Sequence, residues 1–356
     1  MLVAQPIKLP ANQFDHFYKG GSRIGKLRNG PGGPMRPEEW LGSTTTRFGS
    51  ANQGLTLLED GTSLRESVST NPESWLGKAH VNRFGPSIEI LVKLLDPDQR
   101  LPVHYHPKRN FSKQPLGVPH GKTEAWIVLE APKDAWVGIG FESSMTMANV
   151  KNMVEKEDTK GLINSLNKRT VKAGEGILVP AGIPHAIAEG IFILELQEPT
   201  DFSILLEWEG FAVDGLKDGH LNLGFDLALQ ALNLDALKKE DVEKLVVSTE
   251  NDSSLMTSML PVQAEPYFRS HLLRPKNTTL EFAPGFSILL ATHGNGQINT
   301  EKQGNFTIDK GDAFIIPFES GSWSLTGNIE VLLSRPPESD APMSSLKLKY
   351  IFAKLY

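Results

Sequence analysis

Apolar and polar residues alternate along several short stretches of this chain, separated by turn residues. The first clear case starts at Ser87: Ile88, Ile90, Val92 and Leu94 alternate with other residues, and Asp96-Pro97 closes the run. That period of two predicts a β-strand. Further strands are expected at Ala125–Leu129, Trp136–Phe141, Gly176–Val179, Phe192–Leu196 and Ser203–Glu207. Two stretches change period. Val150, Met153, Val154, Leu162 and Leu166 recur at helical intervals within Met147–Leu166. From about Asp226 to Val247, Leu227, Leu229, Leu232, Leu237, Val242 and Leu245 do the same, with Asp235 as a helix cap and a charged face of Lys238, Lys239, Glu240 and Asp241. Beyond lies a second strand-rich region, roughly Tyr267–Tyr356. Its strands are expected at Phe286–Leu290, Phe306–Ile308, Ala313–Ile316 and Glu330–Leu333. The first eighty residues carry little periodicity, and Gly20–Lys26 and Pro31–Pro34 read as loops.

The second region faintly echoes the first. Lys310-Gly-Asp-Ala-Phe-Ile-Ile-Pro317 parallels Ala173-Gly-Glu-Gly-Ile-Leu-Val-Pro180, a Gly and an acid before an apolar strand that ends in Pro. A histidine, His185, follows the earlier copy, but none follows at the matching place after Pro317. The expected architecture is therefore mainly β: two β-barrel or jelly-roll domains with helical insertions. Residues 1–213 would hold the N-terminal region and a metal-binding barrel, with a helical insertion near 147–168. Residues 214–265 would be helical, and residues 266–356 a second, metal-free barrel.

Composition narrows the functional classes. With 39% apolar and 22% charged residues, the 356-residue chain reads as globular rather than disordered. Its net charge of -6 gives no basic footprint for nucleic acid. No apolar run approaches the ~20 residues that span a bilayer, and Met1–Pro10 does not read as a signal peptide. Cysteine is absent, which excludes disulfides, thiolate zinc sites and a cysteine nucleophile and fits a cytoplasmic location. The expected partner is a small molecule, with no nucleic acid and no membrane, for a monomer or homodimer.

Three of the nine histidines carry the candidate chemistry. In Leu101-Pro-Val-His104-Tyr-His106-Pro107, residues two apart on a strand share a face, so both imidazoles can reach one ion. Val179-Pro-Ala-Gly-Ile-Pro-His185 ends a strand in a tight turn and places a third histidine at its exit. Between them, Gly121-Lys-Thr-Glu124 opens the strand that carries Trp126. Three neutral imidazoles and one carboxylate suit one divalent ion, with zinc first among Zn, Fe, Mn, Ni and Co. His16, His80, His271 and His293 lack such a context and read as ordinary core or surface groups, and His220 as structural.

The motifs around these residues resemble the two cupin motifs and, more specifically, the class I mannose-6-phosphate isomerases. The corresponding segments are Val92-Lys-Leu-Leu95, His104-Tyr-His106-Pro107, Gly121-Lys-Thr-Glu-Ala-Trp126, Val179-Pro-Ala-Gly-Ile-Pro-His-Ala-Ile187 and Glu195-Leu-Gln197. Glu38-Glu-Trp40-Leu-Gly-Ser43 resembles that family's Glu-x-Trp-x-x-Ser segment. The resemblance implies a metal-dependent aldose–ketose isomerase of mannose 6-phosphate and fructose 6-phosphate, or of a related sugar. Two departures stand out: His104 replaces the family's glutamine ligand, and Leu205 stands where its arginine is expected. The departures leave room for a different cupin metalloenzyme, such as an iron dioxygenase, or a sugar-binding cupin without catalysis. The candidate catalytic groups are Lys122 and His120, near Glu124 in sequence. The candidate substrate contacts are Trp40 for a sugar face, Arg109 and Lys108 for a phosphate, and Glu207 as an acid near the barrel mouth.

Overall fold

The computed structural model describes residues 4–339. Met1–Val3 and the last stretch of the expected second barrel, residues 340–356, lie outside the described residues. The chain is mainly β, with short helices inserted among antiparallel strands that build two cupin-type barrels. A six-stranded sheet runs in the order Val246–Ser248, Glu175–Val179, Glu124–Glu130, Phe192–Gln197, Leu91–Leu95, Glu38–Leu41. A five-stranded sheet runs Ile204–Leu205, His104–Tyr105, His185–Ile187, Trp136–Phe141, Leu166–Thr170. The eight-stranded sheet of the second region is organised around the long strands Ser287–Thr300 and Trp323–Arg335.

The six-stranded sheet is covered on both faces. One face, through Leu95, Trp126, Val128, Ile177 and Ile193, packs on Val137, Ile139 and Ile187 of the five-stranded sheet. The other face, through Val92, Leu94, Ile127, Leu178 and Leu194, packs on Ile288, Leu290, Ile315 and Leu332 of the eight-stranded sheet. A strand apolar on both sides reads as a continuous hydrophobic run, as Phe192-Ile-Leu-Glu-Leu-Gln197 does. Its exceptions are informative. Lys93, Glu124 and Glu195 are buried charges on the barrel-facing side, and the register sets Glu195 between Lys93 and Trp126. Burying such groups is costly unless they are paired, so they mark the site.

The echo between the two regions has a shared backbone form. Gly174 and Gly311 both adopt positive φ, 85° and 90°, one turn before the strands Glu175–Val179 and Ala313–Ile316. At these two positions only glycine avoids strain.

Several elements differ from the sequence expectation. The helix expected over Asp226–Val247 is broken into a turn at Phe225–Ala228, a 3-10 turn and a short helix at Lys239–Glu243, and Val246–Ser248 joins the six-stranded sheet. The cause is competition for backbone hydrogen bonds. Leu237 donates to the Phe141 carbonyl, Leu234 accepts from Met145, and the Asn233 side chain accepts from the Asp235 N–H. The cap there is Asn233 rather than Asp235, and it closes a turn instead of starting a helix. The expected helical insertion is two helices, Met147–Glu155 and Thr159–Ser165, capped by Thr146 and Asp158. The strand expected from Ile88 begins at Leu91, because Glu89 sits at positive φ. Ser203–Glu207 contributes only the pair Ile204–Leu205. Near the N-terminus, Arg23–Arg28 is helical rather than a loop, and three helices occupy Leu64–Phe84. Ser63 and Glu66 gave a signal there, since the Ser63 hydroxyl accepts from the Glu66 N–H as in a capping box.

One core group should make stability depend on pH. Burial, with Arg269 and Arg335 nearby, lowers the His271 pKa from 6.5 to about 4. The unfolded chain therefore binds a proton that the native one refuses between those values, and stability falls as pH drops through that window. The expected loss is at most on the order of 3 kcal/mol. Urea unfolding at stepped pH should show a shallower decline for His271→Gln, and parallel declines would contradict the assignment.

Candidate metal centre

The site forms where three strand ends meet. His104 and His185 are direct partners in the five-stranded sheet, so their rings lie 4.2 Å apart between centroids. His106 is one residue past the end of its strand and turns the same way, 5.0 Å from the His104 ring. The turn before His185 is tight. Gly182 there has φ of 89°, its N–H donates to the His106 carbonyl at 2.7 Å, and a Cβ would lie 2.7 Å from the Lys108 side chain. Glu124 opens the central strand of the facing sheet. Its Oε2 lies 2.9 Å from His106 Nε2 and its Oε1 3.3 Å from His185 Nε2.

Backbone carbonyls decide which nitrogens point inward. The Nδ1 atoms of His104, His106 and His185 lie 2.8, 2.7 and 2.9 Å from the carbonyls of Pro102, Phe202 and Ile183. A carbonyl only accepts, so each Nδ1 carries the hydrogen and each Nε2 is left as a lone pair. Burial holds His104 well below its usual pKa and lowers His106 and His185 to about 3, with the Lys122 ammonium acting in the same direction. All three rings are neutral at physiological pH. The ligand nitrogens fall within 4.8 Å of one another, and His104 Nε2 faces His185 Nε2 at 3.1 Å. Two acceptors at that distance repel unless a cation lies between them. The donor set fits a divalent metal centre, with the Nδ1–carbonyl bonds as the outer contacts that such ligands use.

Lys122 supplies positive charge there in the structure. Its Nζ lies 2.8 Å from Glu124 Oε2 and 2.9 Å from His106 Nε2. Glu124 also accepts from Trp126 Nε1 at 2.9 Å. Burial alone would raise the Glu124 pKa, but the Lys122 ammonium overcomes it and holds the carboxylate well below the usual range.

His104, Lys122 and Glu124 line a cavity of about 540 Å³. Its floor holds a second charged cluster. Lys93 Nζ lies 3.4, 3.6 and 3.5 Å from carboxylate oxygens of Glu38, Glu195 and Asp201, and 4.5 Å from the Trp40 ring centre. Glu38 also accepts from Tyr18 at 2.6 Å and from Trp40 Nε1 at 2.8 Å, and it is held below the usual carboxylate range although burial opposes this. Glu195 goes the other way. Burial, and then the charge on Glu124, raises its pKa to about 8 against the pull of Lys122 and Lys93.

The cavity wall contains His104, Lys122 and Glu124, together with Leu205, the ladder partner of His104. His106 and His185 lie just behind it. Five other sequence candidates are placed elsewhere. His120 lies in the loop outside the barrel, where Nε2 meets Glu89 at 2.9 Å. Trp40 is fully buried and braces Glu38 and Lys93 from behind, so it presents no face to a ligand. Arg109 is paired with Glu198 and lies over the Tyr267 ring, and Lys108 packs against Gly182. Glu207 is fully buried, takes Arg100 at 2.7 Å and accepts from the Val103 N–H at 2.8 Å, anchoring the approach to His104. Sequence reasoning missed His16, Tyr18, Arg47 and Asp201, which come to the cavity from distant loops. Lys93, Glu38 and Glu195 stood inside quoted motifs, and a lysine in an otherwise apolar strand was the usable signal.

No protein-family model matches the chain. The mannose-6-phosphate isomerase of Streptococcus mutans is 26% identical to it, covering 94% of this chain and all of the relative. The mannose-6-phosphate isomerase ManA of Bacillus subtilis is 24% identical over 81% of this chain and 87% of the relative. Among solved structures, the mannose 6-phosphate isomerase of Bacillus subtilis superposes with a TM-score of 0.74 at 20% identity, covering 93% and 99% of the two chains. A mannose 6-phosphate isomerase bound with zinc and yttrium gives 0.70 at 15% identity, covering 94% and 100%.

Dialysed against a divalent metal, the protein should hold one ion per chain at this centre. His185→Ala should lower that affinity by more than the ~10–100-fold that follows loss of an outer contact. Metal analysis with competition against a chelator reads this out, and an unchanged affinity would remove the centre from His185.

Proposed function

We propose that this chain, a divergent member of the mannose-6-phosphate isomerase family, is a metal-dependent aldose–ketose isomerase that interconverts mannose 6-phosphate and fructose 6-phosphate. The observation that carries this reading is the meeting of three imidazole lone pairs and the Glu124 carboxylate beside Lys122, at the wall of a cavity large enough for a sugar phosphate. His104, His106, Glu124 and His185 would hold the ion, and zinc is the metal we assign. Four nitrogen and oxygen donors suit it, and a related solved structure carries zinc.

The reaction moves one proton between adjacent carbons through a cis-enediol and consumes no oxidant or reductant. When bound, the divalent ion supplies Lewis-acid stabilisation for the charge that develops on the sugar oxygens. The chain's own groups do the rest. Lys122, on the wall beside Glu124, holds or releases a proton at Nζ. Glu195, whose pKa is raised by burial and by the charge on Glu124, is a second group able to hold a proton there. Lys93 and Glu38 are fixed by Trp40 and Tyr18, so they offer a donor and an acceptor of defined position to sugar hydroxyls. Leu101, Leu205 and Leu221 line the same cavity and limit its water. His104 in place of glutamine keeps a neutral donor, because its Nε2 lone pair faces the site.

An assay over mannose 6-phosphate, fructose 6-phosphate and free aldoses, with Zn, Co, Mn, Ni or Fe restored after chelation, tests the reading. Metal-dependent formation of fructose 6-phosphate from mannose 6-phosphate is expected. Lys122→Met should lower kcat by ~10²–10⁴-fold while metal content is retained. Metal-loaded protein that isomerises none of these sugars, or an unchanged kcat in the variant, would refute it.

A further inference from the structure

The cavity wall carries three permanent cations, Arg47, Lys93 and Lys122, and two of them are already neutralised. Lys93 lies within 3.6 Å of three carboxylates, and Lys122 is bonded to Glu124 and His106. Arg47 differs. Its Nη1 donates to the Asp15 carbonyl at 3.0 Å and the Gln53 side-chain oxygen at 3.3 Å, both neutral acceptors. Among the described residues it has no carboxylate partner, and its Nε and Nη2 donors make no hydrogen bond. A guanidinium offers five N–H donors in a planar fork that matches an anion with several oxygens.

The loop that carries Arg47 is built to hold it. The Arg47 carbonyl accepts from the Ser50 N–H at 3.0 Å across a tight turn, with Gly49 at φ of 79°. The Phe48 N–H donates to Asp201 at 3.1 Å, which ties the loop to the cluster around Lys93. The same cavity is also lined by Asp214 and Asp218. Next to the metal centre, Leu205 occupies the ladder position facing His104 and offers no charge.

We infer that Arg47 binds the phosphoryl group of the substrate, an inference that rests on the sugar-phosphate isomerase reading. The phosphoryl group lies several bonds from the reacting carbons of a hexose 6-phosphate. Holding it at Arg47 anchors the sugar in the cavity that Glu124 and Lys122 also line.

The experiment compares zinc-loaded wild type, Arg47→Met and Arg47→Lys with mannose 6-phosphate and free mannose, and measures inorganic phosphate binding by calorimetry. Loss of one charge-assisted contact should raise KM for mannose 6-phosphate by ~10–100-fold in Arg47→Met. The preference for the phosphorylated over the free sugar should fall by the same factor, with a smaller change in kcat. Phosphate binding should weaken in parallel, and Arg47→Lys, which keeps the charge but not the fork, should fall between. Wild-type preference or wild-type phosphate binding in a folded Arg47→Met protein would overturn the inference. If wild type isomerises neither sugar, the isomerase reading fails by itself. Phosphate binding then decides Arg47 alone: weaker in the variant supports it, equal overturns it.

Discussion

Three imidazole lone pairs and a carboxylate are held together in a buried space, and that arrangement is unstable without positive charge. The rest of the site follows from it. Each ring is turned by a carbonyl of the chain itself, at Pro102, Phe202 and Ile183, so the backbone sets which nitrogen faces inward. The antiparallel pairing of His104 with His185 fixes the spacing, and the glycine turn at Gly182 brings the second strand in close. Lys122 answers the charge requirement in the structure, and its position beside Glu124 also makes it the group best placed to exchange a proton once an ion takes the ligands.

The second charged cluster uses a related solution. Lys93 balances Glu38, Glu195 and Asp201 in a floor walled by Trp40 and Tyr18. Removing Lys93 would leave buried carboxylates uncompensated, which costs more than the pairing itself contributes. The cluster is therefore rigid, and rigidity is what a site needs in order to orient hydroxyl groups. The apolar packing of the six-stranded sheet between two others supplies the frame in which these charges stay dry.

The parts of this arrangement that were legible in the sequence are those set by local spacing. His104 and His106, two apart on a strand, and His185 at a glycine turn each carry their geometry in a few residues, and Glu124 lies on a strand whose alternation was readable. The strands Glu124–Glu130, Trp136–Phe141, Glu175–Val179 and Phe192–Gln197 were legible as apolar runs, and so was the helical character of Met147–Ser165, though not its division into two helices. Long-range positions were not. His120 is close to Glu124 in sequence, but its loop turns outward to Glu89. Trp40 and Glu207 have the right chemistry and serve as buried supports. Arg47 and His16 reach the cavity from loops with no periodic pattern, and only tertiary packing brings them there. The broken helix after Asp226 failed likewise, because barrel carbonyls outcompeted helical ones.

The account stands most directly on where a divalent ion binds. A crystal structure of the zinc-loaded protein, with anomalous scattering recorded at the zinc edge, measures this. It should place one ion about 2.0–2.1 Å from the Nε2 atoms of His104, His106 and His185 and about 2.0–2.2 Å from a Glu124 oxygen. An ion bound elsewhere, or none bound at all, would contradict it.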